Sequence, residues 1–75
     1  MNTFLSFGTW LKARRRAIGL TQSELAKQAY CAEITIRKIE ADQLRPSLEL
    51  AALIVNALNI APIEQSNVVH LARQR

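Results

Sequence analysis

Four cationic side chains, Lys12, Arg14, Arg15 and Arg16, stand just before the segment GLTQSELAKQAYCAEITIRKIE at positions 19–40. On composition alone such a cluster fits either a solvated helix face or a patch that binds phosphate. The residues that follow favour the second chemistry. Thr21 and Glu24 have the spacing of a capping box, in which the threonine hydroxyl accepts from the Glu24 amide and the carboxylate reaches back. A helix therefore starts sharply at Thr21, and Gln22 stands at a helix start whose free amides and positive dipole favour an anion.

Other reactive side chains support less. Cys31 and His70 are the sole cysteine and histidine of the 75-residue chain. They lie far apart in sequence, with no third partner and no glycine-rich loop, so nucleophilic catalysis and a metal site both lack a complete set of groups. No cofactor is implied, and the chain reads as a non-enzyme. Cys31 fits a small turn filler, and His70 a surface residue near the end of the last helix.

Length and charge narrow the class. A single small domain over 1–75 buries only about 60% of the surface its unfolded chain would expose. Without a multi-cysteine framework, dense helix packing is the remaining way to hold it. The first sixteen residues carry their positive charge after the apolar ones, the reverse of a secretory signal, so a cytoplasmic, reducing location is expected. The longest apolar run, 50–55, is six residues, against roughly 20 needed to cross a bilayer. No membrane partner is expected. Ten Lys or Arg against six Asp or Glu give a net charge of +4, which favours an anionic partner such as nucleic acid.

The elements that must position these groups are punctuated by two glycines and two prolines. Phe7, Trp10, Leu11 and Ile18 share a helical face that Gly19 ends, which predicts a first helix over about 7–18. The second runs from Thr21 to near Ala29, with Leu25, Ala26 and Ala29 inward. The third spans about 32–41 on a narrow apolar face of Ile36 and Ile39, so that Glu33, Ile34, Thr35, Arg37 and Lys38 point elsewhere. Pro46 and Ser47 open a fourth helix that buries Leu48, Ala51, Ile54, Val55 and Leu58, leaves Leu50 and Leu53 off that face, and ends at Asn59. Pro62 starts a weaker fifth segment with Ile63, Val68, Val69 and Leu71.

The pattern Phe7, Leu11, Arg15, Gly19-Leu20-Thr21-Gln22, Glu24-Leu25-Ala26, Thr35-Ile36, Ile39-Glu40, Pro46-Ser47 and Ala57-Leu58 resembles the phage-repressor helix-turn-helix family, the Cro and lambda-repressor-like group also called XRE. The resemblance covers about 5–60. It implies an all-α, compact bundle of four to five short helices, with a helix-turn-helix formed by the second and third and residues 61–75 as the fifth segment. The third helix, about 32–41, would be the recognition helix in the major groove, and the second would lie across the backbone.

The resemblance also implies roles. Gln22 matches a glutamine that binds a DNA phosphate, and Thr21, Arg16, Arg37, Gln43 and Arg45 complete the expected phosphate contacts. Glu33, Ile34, Thr35 and Lys38 match base-facing positions. Glutamate can accept from cytosine N4, isoleucine can touch a thymine methyl, and lysine can donate to guanine, which predicts a C, a T and a G per half-site. Glu33 has a second reading, since an acid in the first turn complements the helix dipole and repels phosphate. Ile34 fits a packed or lone surface residue better than a methyl reader, since lone surface apolar residues are common. Arg15 and Glu40 match a pair that fixes helix orientation. Three residues depart from the family pattern: Tyr30 stands where the turn usually carries glycine, Ala32 replaces the usual Ser or Thr cap, and Asp42 stands where glycine often follows the third helix.

Double-stranded DNA is thus the expected partner, bound sequence-specifically by a transcriptional regulator. The chain resembles the amino-terminal DNA-binding domain of a larger regulator as much as a complete protein. The family often binds as a dimer, for which exposed Leu50 and Leu53 would supply a modest interface. Two alternatives share the fold. One is a protein interaction module using Leu50, Leu53 or the segment after Pro62; the other is an antitoxin that binds a toxin as well as operator DNA.

Overall fold

Each of the four helices described opens on an extended residue and closes on a left-handed one. The computed structural model describes residues 6–59 and Arg73. Helix α1 (Phe7–Ala17) is capped by Ser6, whose hydroxyl accepts from the Thr9 amide at 3.1 Å. Helix α2 (Gln22–Gln28) has the expected capping box: Glu24 donates its amide to the Thr21 hydroxyl at 3.0 Å, and the Thr21 amide donates to the Glu24 carboxylate at 2.8 Å. Helix α3 (Glu33–Glu40) follows Ala32, which offers no side-chain cap. Helix α4 (Leu48–Ala57) is capped by Ser47, which accepts from the Leu50 amide at 3.1 Å.

The helices stop by a shared device. Gly19, Tyr30, Asp42 and Asn59 have φ of 80°, 59°, 60° and 58°. Beyond the first three, the amides of Leu20, Cys31 and Gln43 turn back to the carbonyls of Arg15, Ala26 and Lys38 at 3.0, 2.9 and 2.8 Å. These are Schellman closures, which satisfy carbonyls that a helix end leaves free. Tyr30 therefore adopts the conformation that glycine would take, at a cost on the order of 1 kcal/mol. Its side chain points outward and is 83% exposed.

Leu11, Leu25, Ala26, Ala29, Ile36, Ile39, Ala51, Ile54, Val55 and Leu58 form one core, with Phe7 at its edge stacked on Trp10 at 5.7 Å. The small Ala26 and Ala29 let neighbouring helices approach α2 closely. Three expectations are corrected. Ile18 is 37% exposed, because α1 ends at Ala17 and Ile18 turns away with the cap. Leu48 is 61% exposed, because it begins α4 beyond the reach of the opposing helices. Leu50, expected outside, is partly buried and packs on the core, while Leu53 is exposed.

The described residues form an all-α fold without strands, in which α2 and α3 make the helix-turn-helix. Gly8 sets the distance between α1 and the end of α3: a Cβ there would meet Asp42 Oδ1 at 2.6 Å and the Glu40 carbonyl at 2.7 Å. The fifth segment, including Pro62, Ile63, Val68, Val69, His70 and Leu71, lies outside the described residues.

Candidate nucleic-acid interface

Arg15 and Glu40, both charged, are buried at 7% and 9% exposure. Burial of charge is tolerated only when each is paired and its remaining hydrogen-bonding capacity is met. Here it is. Arg15 Nε donates to Glu40 Oε2 at 2.6 Å and Nη2 donates to Oε1 at 3.1 Å, a bidentate fork. The remaining arm, Nη1, donates to the Leu20 carbonyl at 2.8 Å and so holds the turn that leads into α2. Gln22 then joins from α2, donating Nε2 to Glu40 Oε1 at 2.9 Å. Only the amide nitrogen can face a carboxylate, so this bond fixes which way Gln22 is turned and leaves one further N–H to donate. Three helices are thus tied through one carboxylate.

The basic cluster divides. Arg15 is in the core, and Arg14 is half-buried, its Nε enclosed without a hydrogen-bond partner among the described residues. Lys12 and Arg16, four apart on the exposed face of α1, line an open depression with Thr21, Gln22 and Ser23 at the start of α2 and Glu33 at the start of α3. Sequence reasoning placed Arg16, Thr21, Gln22 and Glu33 among the functional residues and counted Lys12 in the basic cluster read as a phosphate patch, but did not single out Ser23 as a contact. Lys12 is set beside Arg16 by its four-residue spacing, opposite the inward Leu11 and Arg15.

On α3 the outward residues lie as their spacing requires, with Ile36 and Ile39 beneath them. Glu33, Ile34, Arg37 and Lys38 are exposed, and Thr35 is partly buried. Glu33 and Arg37, assigned respectively to a base and a phosphate, pair with each other at 3.4 Å. An exposed pair of this kind is worth roughly 0–1 kcal/mol and opens readily. Gln43 is exposed just past α3. Arg45 is engaged elsewhere: its Nη1 donates to the Arg73 carbonyl at 3.1 Å, while Arg73 Nη1 donates to the Pro46 carbonyl at 2.7 Å. That clasp leaves Arg45 outside the group around the depression.

Cys31 packs partly against the core at the turn, and burial pushes its thiol above its ordinary value. Among the described residues no three His, Cys, Asp or Glu converge to hold a metal ion, and no helix is long and apolar enough to cross a membrane.

A family profile described as helix-turn-helix matches residues 11–65. No curated protein and no solved structure gives a match. The matched stretch takes in the Arg15–Glu40 pair, the capped start of α2, the turn at Tyr30, and all of α3 and α4. Pattern, helix order and profile agree, and the chain belongs to the XRE, or lambda-repressor-like, helix-turn-helix family, a DNA-binding family.

Proposed function

We propose that this protein binds double-stranded DNA sequence-specifically, as a transcriptional regulator or the DNA-binding part of one. The observation that carries the reading is the depression itself. Lys12 and Arg16 from α1 and Gln22 from α2 converge on one opening, and Glu33 places the start of α3 at its rim. Donors suited to phosphate and the first base-facing position therefore share a surface, as docking a helix in the major groove requires.

In this reading Lys12, Arg16, Thr21 and Gln22 set the register of the protein on the backbone, with Arg37 and Gln43 on flanking phosphates. Arg45 joins them only by leaving the Arg73 carbonyl. Glu33, Ile34, Thr35 and Lys38 face the bases, and the Glu33–Arg37 pair opens as each finds its own partner. The half-site then holds a cytosine opposite Glu33, a thymine opposite Ile34 and a guanine opposite Lys38. Selection from pooled random duplexes, with sequencing of the bound fraction, tests this directly. Enrichment of those three bases is expected, and a bound fraction with no preferred base opposite α3 would overturn it.

A further inference from the structure

Glu33 occupies an unusual place for an acid. It stands on the rim of an opening whose other charged side chains at the surface, Lys12 and Arg16, are cationic, and it also pairs with the exposed Arg37 one turn along α3. The second acid nearby, Glu40, is buried and already balanced by Arg15. Among the described residues that line the depression, Glu33 is therefore the one acid; its exposed 3.4 Å contact with Arg37 offsets its charge only weakly, so it repels an entering phosphate and ties up a cation that would otherwise attract one.

We propose that Glu33 is a specificity-determining residue that acts by weakening non-specific DNA binding. On a duplex of arbitrary sequence, its carboxylate meets no donor, repels the backbone and keeps Arg37 in the intramolecular pair. At a site that offers a cytosine amino group, the carboxylate gains a donor, and Arg37 is released to a phosphate. Discrimination then arises from a penalty on wrong sequences as well as a contact with the right one, which is how specific interfaces are commonly built. The weakness of the Glu33–Arg37 pair suits this role, since a 3.4 Å exposed contact opens at small cost.

The inference rests on the DNA-binding reading above, and Glu33→Gln tests it with little risk to folding, because Glu33 is exposed and its side chain caps nothing. Affinity is measured for wild type and variant on a random-sequence duplex pool and on the best duplex from selection, each across a range of salt. The variant should bind the random pool about fivefold more tightly, the size of one surface charge interaction. Its log–log salt slope on that pool should steepen by about 0.9, the signature of one added phosphate contact by the freed Arg37. The ratio of selected to random affinity should fall about tenfold or more. A merely structural Glu33 would leave the salt slope unchanged. Unchanged or weaker binding of the random pool by the variant, with the wild type still binding DNA, overturns the role of Glu33 alone. Absence of duplex binding by either protein overturns the DNA-binding reading and this inference with it.

Discussion

Asp42, the residue that ends α3, also caps α1: its carboxylate accepts from the Gly8 amide at 3.2 Å and from the Ser6 hydroxyl at 2.7 Å. Helix α1 has no acid of its own in its first turn, so Asp42 supplies the negative charge its dipole favours. The same residue has positive φ. Asp42→Ala should lose both the cap and part of the tolerance for that conformation, lowering stability by about 1–2 kcal/mol. Asp42→Gly should cost less, by up to about 1 kcal/mol, because glycine adopts this backbone freely. Urea midpoints of the two variants check the order, and a less stable glycine variant would contradict it.

Gly8 is required by space rather than by its own backbone angles. An added methyl would press on the Ile39 and Glu40 carbonyls, which are backbone and cannot swing aside, and on the Asp42 carboxylate. Gly8→Ala should therefore destabilise by about 1–3 kcal/mol through overpacking, with α1 displaced from α3. Thermal unfolding checks this, and an unchanged midpoint would show that the two helices separate freely.

Tyr30 offers the opposite sign. Its left-handed backbone strains a side chain that meets mostly solvent. Tyr30→Gly should raise stability by about 1 kcal/mol, since strain is relieved with little packing lost. A fall in melting temperature would mean that the aromatic ring contributes contacts at the turn.

The sequence made some of these features readable and hid others for physical reasons. Thr21 and Glu24 are three residues apart, Gly19 ends a periodic face, and Ile36 with Ile39 sets the inward stripe of α3; local spacing suffices for each. The Arg15–Glu40 pair was reached only through a family resemblance, because 25 residues separate its members. The bonds of Asp42 to Gly8 and of Gln22 to Glu40 depend on how helices cross, which no local pattern encodes. Leu48 was misplaced for a related reason: periodicity identifies a face, but the length of the opposing helices decides which residues on it are covered.

The buried fork at the centre predicts a coupled loss. Glu40→Ala would leave the Arg15 guanidinium unpaired and free the Gln22 amide to turn, lowering stability by about 3–5 kcal/mol. DNA affinity should fall with it. Melting temperature and binding, measured where the variant is still folded, check both, and an unchanged melting temperature would contradict the role assigned to the pair.

Cys31 predicts a response to alkali. Its thiol is raised by burial, so the folded protein holds the proton more tightly than the unfolded chain. That contribution to stability is complete below the ordinary thiol value of 9.0 and is lost as pH rises through the higher folded value. Alkylation at neutral pH should accordingly be slower in the folded protein than in denaturant. Equal rates would show that the turn leaves the thiol open.

The central claim is that Lys12 and Arg16, beside Gln22, hold DNA by its phosphates, and salt dependence tests it most directly. Binding of a selected duplex should weaken linearly in log–log form, with a slope of about −2 or steeper for wild type, and Arg16→Ala should reduce that slope by about 0.9. A slope near zero, or one that Arg16→Ala leaves unchanged, would contradict the account.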